Sequence, residues 1–315
     1  MVTLRRTSFA LLAIGLLMGC ANTTPSSVMP GGGSLQTRSL ARAASTGRVL
    51  YIGNIDGQPG VGQILVYTAD MKNPQLIRTI TSGTGRPFGL WVDSQNVLYA
   101  ANESNKYPAS VSEFKPGASS PFFQITNFKG QPQSVAVDEE QNVYVNESSD
   151  DEGFVQEFAP RSNTAKRTID TGVGGYAFSP GSMAFDPQGN LIAAETANLK
   201  LQIVKITPRS SKVTLLHLDL DGNDINGPGM GIDEAGNLYV ASSASETISV
   251  FAPGKSEPSR TISPVASYGL MGVTPQGAVY EASGEGTVTE IEPGSNSPTS
   301  TLTCECSAQG AAVSR

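Results

Sequence analysis

Three glutamates recur at matching places along the chain: Asn102-Glu103-Ser104, Asn146-Glu147-Ser148 and Ala194-Glu195-Thr196. Each triplet ends a short apolar run, and Asn54 and Asp56 stand at the corresponding place upstream. If the triplets emerge on one face, Glu103, Glu147 and Glu195 form a rim of carboxylates. Such a rim can bind Ca²⁺ or another divalent cation, take a cationic ligand, or raise the pKa of one member for acid–base work. The alternative is that the three side chains cap and solvate hairpins.

Other candidates for chemistry are fewer. His217 is the only histidine and follows an apolar stretch, Thr214-Leu215-Leu216, which reads as an outer strand. Asp219-Leu220-Asp221-Gly222-Asn223-Asp224 starts like a calcium loop. Its sixth position is Asp224 where glycine is needed, and its twelfth is Met230 where glutamate is needed. A polar connector is the expectation there. Cys304 and Cys306 alternate, so a strand would put both sulfurs on one face. Zinc would lack its further ligands, which leaves a disulfide, favoured outside the cytoplasm, or two thiols. The Gly83-Thr84-Gly85 and Gly172-Val173-Gly174-Gly175 runs lack the lysine and the helix of a phosphate loop.

The elements that would position these residues repeat every 40 to 48 residues, a period typical of propeller blades. Five segments end alike: Gly89-Leu90-Trp91-Val92-Asp93, Ser134-Val135-Ala136-Val137-Asp138, Ser182-Met183-Ala184-Phe185-Asp186, Gly229-Met230-Gly231-Ile232-Asp233 and Leu270-Met271-Gly272-Val273-Thr274. Six residues after each end stand Tyr99, Tyr144, Ile192, Tyr239 and Tyr280. The constant gap, often holding Gln-Asn or Gly-Asn, reads as strand, tight turn, strand. A third strand follows, ending at Tyr67, Phe114, Phe158, Ile206, Phe251 and Ile291. In five of the six a proline stands two residues later, at 116, 160, 208, 253 and 293, where a ladder must stop. A fourth strand reads Leu76–Ile80, Lys166–Ile169 and Arg260–Ile262.

Six third strands predict an all-β, six-bladed β-propeller over residues 48–315. A seventh blade would have to come from residues 34–47, which lack the tyrosine and proline landmarks. The first blade has no inner strand of its own. Gly310-Ala311-Ala312-Val313-Ser314 fits that pattern, so the C-terminal segment is expected to pair with Val49–Gly53 and close the ring, removing exposed edges.

This spacing resembles the NHL-repeat propellers and the related gluconolactonase or senescence-marker superfamily. The gluconolactonase resemblance implies a divalent metal at one channel mouth, held in part by Asn or Asp at the start of the inner strands. The matching positions here are Phe88, Gln133, Gly181 and Gly229. Three offer no side-chain oxygen, which argues against metal-dependent hydrolysis. The streptogramin lyases, also propellers, imply a catalytic histidine near the channel, a role His217 would have to fill.

The N-terminus carries a different signal. Arg5 and Arg6 precede an apolar run from Phe9 to Met18, too short to span a bilayer as a helix. Leu17-Met18-Gly19-Cys20 resembles a bacterial lipobox. That resemblance implies a signal peptide over 1–19 and lipid attachment at Cys20, whose several acyl chains would hold the protein to a membrane. Residues 20–47, rich in Ser, Thr, Gly and Ala, read as a disordered tether. The expected location is the cell envelope, at the outer membrane if the host has one.

The chain has 315 residues, 34 of them glycine and 20 proline, which favours short strands over long helices. Its net charge is −7, and loss of residues 1–19 removes two arginines and no acid, giving −9. That balance argues against nucleic acid as a partner. The reading is an exported lipoprotein whose propeller binds an unknown protein or small molecule without catalysis and needs no cofactor. Glu103, Glu147 and Glu195 are the expected contacts. The alternative is a divalent-cation-dependent hydrolase or lyase.

Overall fold

The computed structural model describes residues 47–56, 62–103, 108–149, 152–175, 179–207, 209–220, 229–265 and 269–315. Cys20, the lipobox and the tether up to residue 46 lie outside these residues, as do Asp221–Asp224.

The described chain forms 24 strands in six four-stranded antiparallel sheets. Blade 1 holds β1 (Val49–Asn54), β2 (Gln63–Thr68) and β3 (Leu76–Ile80). Blade 2 holds β4 (Arg86–Val92), β5 (Leu98–Glu103), β6 (Ser110–Phe114) and β7 (Phe123–Ile125). Blade 3 holds β8 (Gln131–Val137), β9 (Val143–Ser149), β10 (Glu152–Phe158) and β11 (Ala165–Gly174). Blade 4 holds β12 (Ser179–Phe185), β13 (Leu191–Ala197), β14 (Lys200–Ile206) and β15 (Val213–Leu216). Blade 5 holds β16 (Met230–Ile232), β17 (Leu238–Ser242), β18 (Thr247–Phe251) and β19 (Arg260–Ile262). Blade 6 holds β20 (Met271–Val273), β21 (Val279–Ala282), β22 (Thr287–Ile291) and β23 (Ser300–Thr303). The last strand, β24 (Ala308–Val313), is the inner strand of blade 1, in the order β24-β1-β2-β3.

Two turns repeat because the same bonds repeat. Between first and second strands, the Asp side chain accepts backbone N–H groups. Asp93 takes Gln95 and Val97, Asp186 takes Gln188 and Asn190, and Asp138 and Asp233 take the amides of Asn142 and Asn237. The third residue after the turn's first must adopt positive φ. It is Asn96, Gln141, Gly189, Gly236 and Gly277, with φ from 59° to 85°. Tyr144 and Tyr239 donate their hydroxyls to the same Asp, at 3.3 and 3.1 Å, which explains the spacing of six. After the third strands, proline takes the second place of a four-residue turn and a left-handed residue the third. These are Gly117, Arg161, Gly254 and Gly294. The turn bond closes from the fourth residue to the first, as from Ala118 to Lys115.

Six apolar clusters lie between successive blades. One joins blades 1 and 2 through Tyr51, Ile64, Val92 and Phe114, and another joins blades 6 and 1 through Leu50, Ile52, Tyr280 and Leu302. Each blade therefore buries both faces, and the ring stands only if it closes. Closure is double-sided. β24 pairs with β1 from Leu50↔Val313 to Asn54↔Ala308, and on its other side bonds Leu270 of blade 6 through Gln309 and Ala311. The inner strands approach closely. A Cβ on Gly310 would collide with the Phe88 carbonyl, and one on Gly53 with that of Pro87. Just before β24, Cys304 and Cys306 are joined by a disulfide with Cα atoms 5.2 Å apart.

Candidate functional site

The inner strand of each blade is the terminal strand of its sheet, so its outer edge of N–H and C=O groups faces the channel. A cavity of about 1450 Å³ occupies the channel and opens at the end that carries the Asp turns. Its walls are inner-strand residues from blades 1 to 6. Its rim holds Glu139 and Glu140 of blade 3, Glu234 of blade 5, and Arg48 and Arg315 of blade 1.

One side chain dominates the channel. Register places Trp91 opposite Tyr99, and the equivalent inner positions are Ala136, Ala184, Gly231, Gly272 and Ala312. Five blades thus carry Ala or Gly where blade 2 carries the chain's single tryptophan. The space those small residues leave is what the indole uses. Trp91 packs against the clusters between blades 2 and 3, 3 and 4, and 4 and 5, so it reaches across the channel. Its indole N–H is buried without a hydrogen-bond partner. From sequence, Trp91 stands only as part of the repeat segment Gly89-Leu90-Trp91-Val92-Asp93. The signal was present in the repeat, as one large residue in a column of small ones.

The three glutamates named from sequence sit at the other end of the blades, where second strands finish. A strand of six or seven residues separates the ends by roughly 20 Å. They do not form an exposed rim. Glu103 keeps 14% side-chain exposure, pairs with Arg86 at 2.8 Å and accepts a bond from Gln133. Burial raises its pKa, opposed by Gln133 and Arg86. Glu147 is buried; one oxygen accepts the Gly130 N–H at 2.8 Å and the other has no partner. Burial pushes its pKa up to about 7, against the pull of Gly130 and Lys129. Glu195 is buried and neither oxygen has a well-formed hydrogen bond; Thr171 and Asn146 stand beside it and pull its pKa down against burial. Burial raises its pKa to about 7. The expected exposure fails because the matching strand ends lie between blades, where neighbours cover them.

A fourth carboxyl escaped sequence reading. Glu281 sits one residue after Tyr280, where other blades carry Ile52, Ala100, Val145, Ala193 and Val240. It is fully buried, neither oxygen has a partner, and burial raises its pKa to about 9. Here again the repeat held the signal: one acid in an apolar column.

Among the described residues, no group of three or more His, Cys, Asp or Glu is arranged to hold a metal ion. Phe88, Gln133 and Gly181 fall at irregularities of the first hairpin ladder in their blades, where the strand register shifts. His217 is exposed beyond β15, on the outside of blade 4. Asp219 is exposed and its N–H donates to the Ser256 carbonyl.

These features define a six-bladed β-propeller with a one-sided channel cavity. No family model matches the sequence, and no curated protein matches it. Solved structures do. The chain is similar to one from a nidogen/laminin complex, at TM-score 0.66 and 17% identity, over 85% of this chain and 99% of that one. It is similar to a protein from Bacteroides caccae, at TM-score 0.63 and 12% identity, over 86% and 100%. The WD40 propeller domain of Doa1 aligns at TM-score 0.54 and 12% identity, over 84% and 82%. At these identities the likeness is one of fold.

Proposed function

We propose that this chain is an exported lipoprotein whose propeller, of the NHL-repeat or gluconolactonase-like kind, binds a protein or small molecule in its channel cavity without chemistry. The observation that carries the reading is the cavity itself: walls built from the inner strands of all six blades, the polar edges of those strands left over where β24 and Leu270 do not bridge, and an aromatic side chain across it. Concave, largely apolar sites with a few polar groups are where small ligands bind. The blade spacing supports the family placement. The lipobox supports anchoring through Cys20, which would set the propeller at the cell envelope on the segment 20–47.

Trp91 makes the test direct, because the chain has one tryptophan and it lines the cavity. A panel of amino acids, peptides, sugars and nucleotides is screened by thermal shift and by tryptophan emission. Binding raises the melting temperature by mass action and changes the emission together. No compound doing both would end the cavity reading. The same screen with Ca²⁺, Mg²⁺, Mn²⁺ and Zn²⁺ addresses the hydrolase or lyase alternative. Mass spectrometry of the mature N-terminus tests the anchor. A Cys20→Ala chain that stays in the membrane fraction would refute it.

A further inference from the structure

The charges around the cavity sort by position once the internally satisfied ones are set aside. Glu157 is occupied by Lys166 and Arg167, and Glu140 by Arg209. Asp138, Asp186 and Asp233 are engaged by their own turns. Of the rim groups, Glu139, Glu234, Arg48 and Arg315 make no ion pair among the described residues. The Arg48 guanidinium donates to the Ser314 carbonyl at 3.2 Å, which holds it at the mouth without an ion pair among the described residues. In a six-membered ring, blade 1 stands opposite blade 4, and blades 3 and 5 flank blade 4. The free acids therefore face the free cations across the opening.

Below this bipolar rim an apolar set is interleaved with polar groups that include Ser134 and Ser182. Leu90, Trp91, Phe185, Ile232, Val273 and Val313 all line the cavity and are only partly buried. Between them run the terminal edges of the inner strands, whose N–H and C=O groups are taken in part by the β24–Leu270 bridge and by Ser134 on the Gly181 carbonyl. The volume, about 1450 Å³, exceeds the roughly 300–1,000 Å³ usual for a drug-sized molecule.

We propose that the cavity takes a short apolar peptide with free termini. Its ammonium lies toward Glu139 and Glu234, its carboxylate toward Arg48 and Arg315, and its side chains against Trp91 and its neighbours. Inner-strand edges supply partners for the peptide backbone, as in strand addition to an open sheet edge. A lipid would waste both the charges and the edges; a sugar would waste the apolar wall. The inference rests on the cavity being a binding site, and names what it selects.

The probes are tri- to pentapeptides of Ala, Leu and Phe, each in free, N-acetylated and C-amidated form, titrated into the full chain. Trp91 emission is read alongside calorimetry. Free peptides are expected to give a saturable change. Acetylation should weaken binding about tenfold, the scale of one hydrogen bond to a charged group. That penalty should vanish in Glu139→Gln/Glu234→Gln, whereas the amidation penalty should vanish in Arg48→Gln/Arg315→Gln. Capped peptides binding as tightly as free ones would overturn the bipolar recognition. No saturable binding of any peptide, with another compound class bound in the wider screen, would overturn the peptide while leaving the cavity as a site. Failure of both would remove the cavity reading itself.

Discussion

The blades carry carboxylates at both ends, and the two ends treat them in opposite ways. At the turn end, Asp186 accepts three hydrogen bonds, from Gln188 N at 3.0 Å, Asn190 N at 2.8 Å and Asn190 Nδ2 at 2.7 Å. At the far end of the same hairpin, Glu195 accepts none. Nor is this the fate of the position in general. Asn102, three residues after its tyrosine as Glu147 is after Tyr144, donates to the Ala100 carbonyl at 3.0 Å and Ser110 Oγ at 3.2 Å, and accepts the Gly85 N–H. The turn end spends its acids on building the repeat. The far end holds acids that cost stability when charged. What stays free to meet a ligand lies at the turn end, in the residues beside the Asp turns rather than in the Asp side chains.

The largest expected effect comes from breaking the ring that holds both ends together. Deleting residues 307–315 removes β24, and with it the apolar contacts of Ala308, Ala311 and Ala312, the ladder to β1 and the bridge to Leu270. Stability should fall by several kcal/mol, on the order of 25 cal/mol per Å² uncovered plus the lost ladder bonds. Chemical denaturation measures it. A midpoint unchanged by the deletion would show that β24 does not close the ring.

Next comes a direct contrast within blade 4. Asp186→Ala should cost about 3 kcal/mol, because three donors lose their acceptor at about 1 kcal/mol each. Glu195→Gln, on the same hairpin, should cost little near neutral pH, since the amide keeps the shape of a carboxyl already held protonated up to about pH 7. Equal losses from the two changes would erase the distinction between the ends.

These contrasts explain what was legible in the sequence. The Asp turns, the tyrosine spacing and the prolines are demands of local geometry repeated five or six times, so the blade count and the ring closure could be read from Val49 to Ser314. The unusual side chains are departures from that repeat: Trp91 among Ala and Gly in the cavity, and Glu281 among Ile, Ala and Val outside it. A departure gains meaning only when register aligns the columns, and ladder pairs such as Trp91↔Tyr99 supply that. The burial of Glu147 and Glu195 was not legible, because it depends on how closely adjacent blades meet.

The third effect is on pH dependence. Glu147 and Glu195 have folded-state pKa values of about 7 and Glu281 about 9, against 4.5 for the ordinary carboxyl. Raised values mean that the fold binds more protons than the unfolded chain. Their contribution is therefore complete below about pH 4.5 and is lost as pH rises, through about 7 for two of them and about 9 for the third. Each group can contribute up to about 1.4 kcal/mol per pH unit within its window. Glu281→Gln removes the widest window. Its advantage over the natural chain should be absent near pH 4.5 and grow toward pH 9. A constant difference across that range would mean that Glu281 ionises normally in the fold.

The smallest expected effect is the one that tests the division between the ends. Glu103, Glu147 and Glu195 together replaced by Gln should leave peptide binding at the cavity unchanged, within about twofold. The three carboxylates stand roughly a strand's length from the Glu139 and Glu234 rim, about 20 Å, and at physiological salt a charge is screened over about 8 Å. Glu147 and Glu195 are covered by neighbouring blades, and Glu103 is already engaged by Arg86 and Gln133. The same triple change should flatten the pH dependence of stability between about 4.5 and 7, which confirms that the substitutions reached folded protein. The two readouts then separate the ends cleanly. Loss of binding with stability intact would return the contact site to these three glutamates and to the far mouth of the channel. Binding intact with a flatter stability profile would fix recognition at the turn end, beside Trp91.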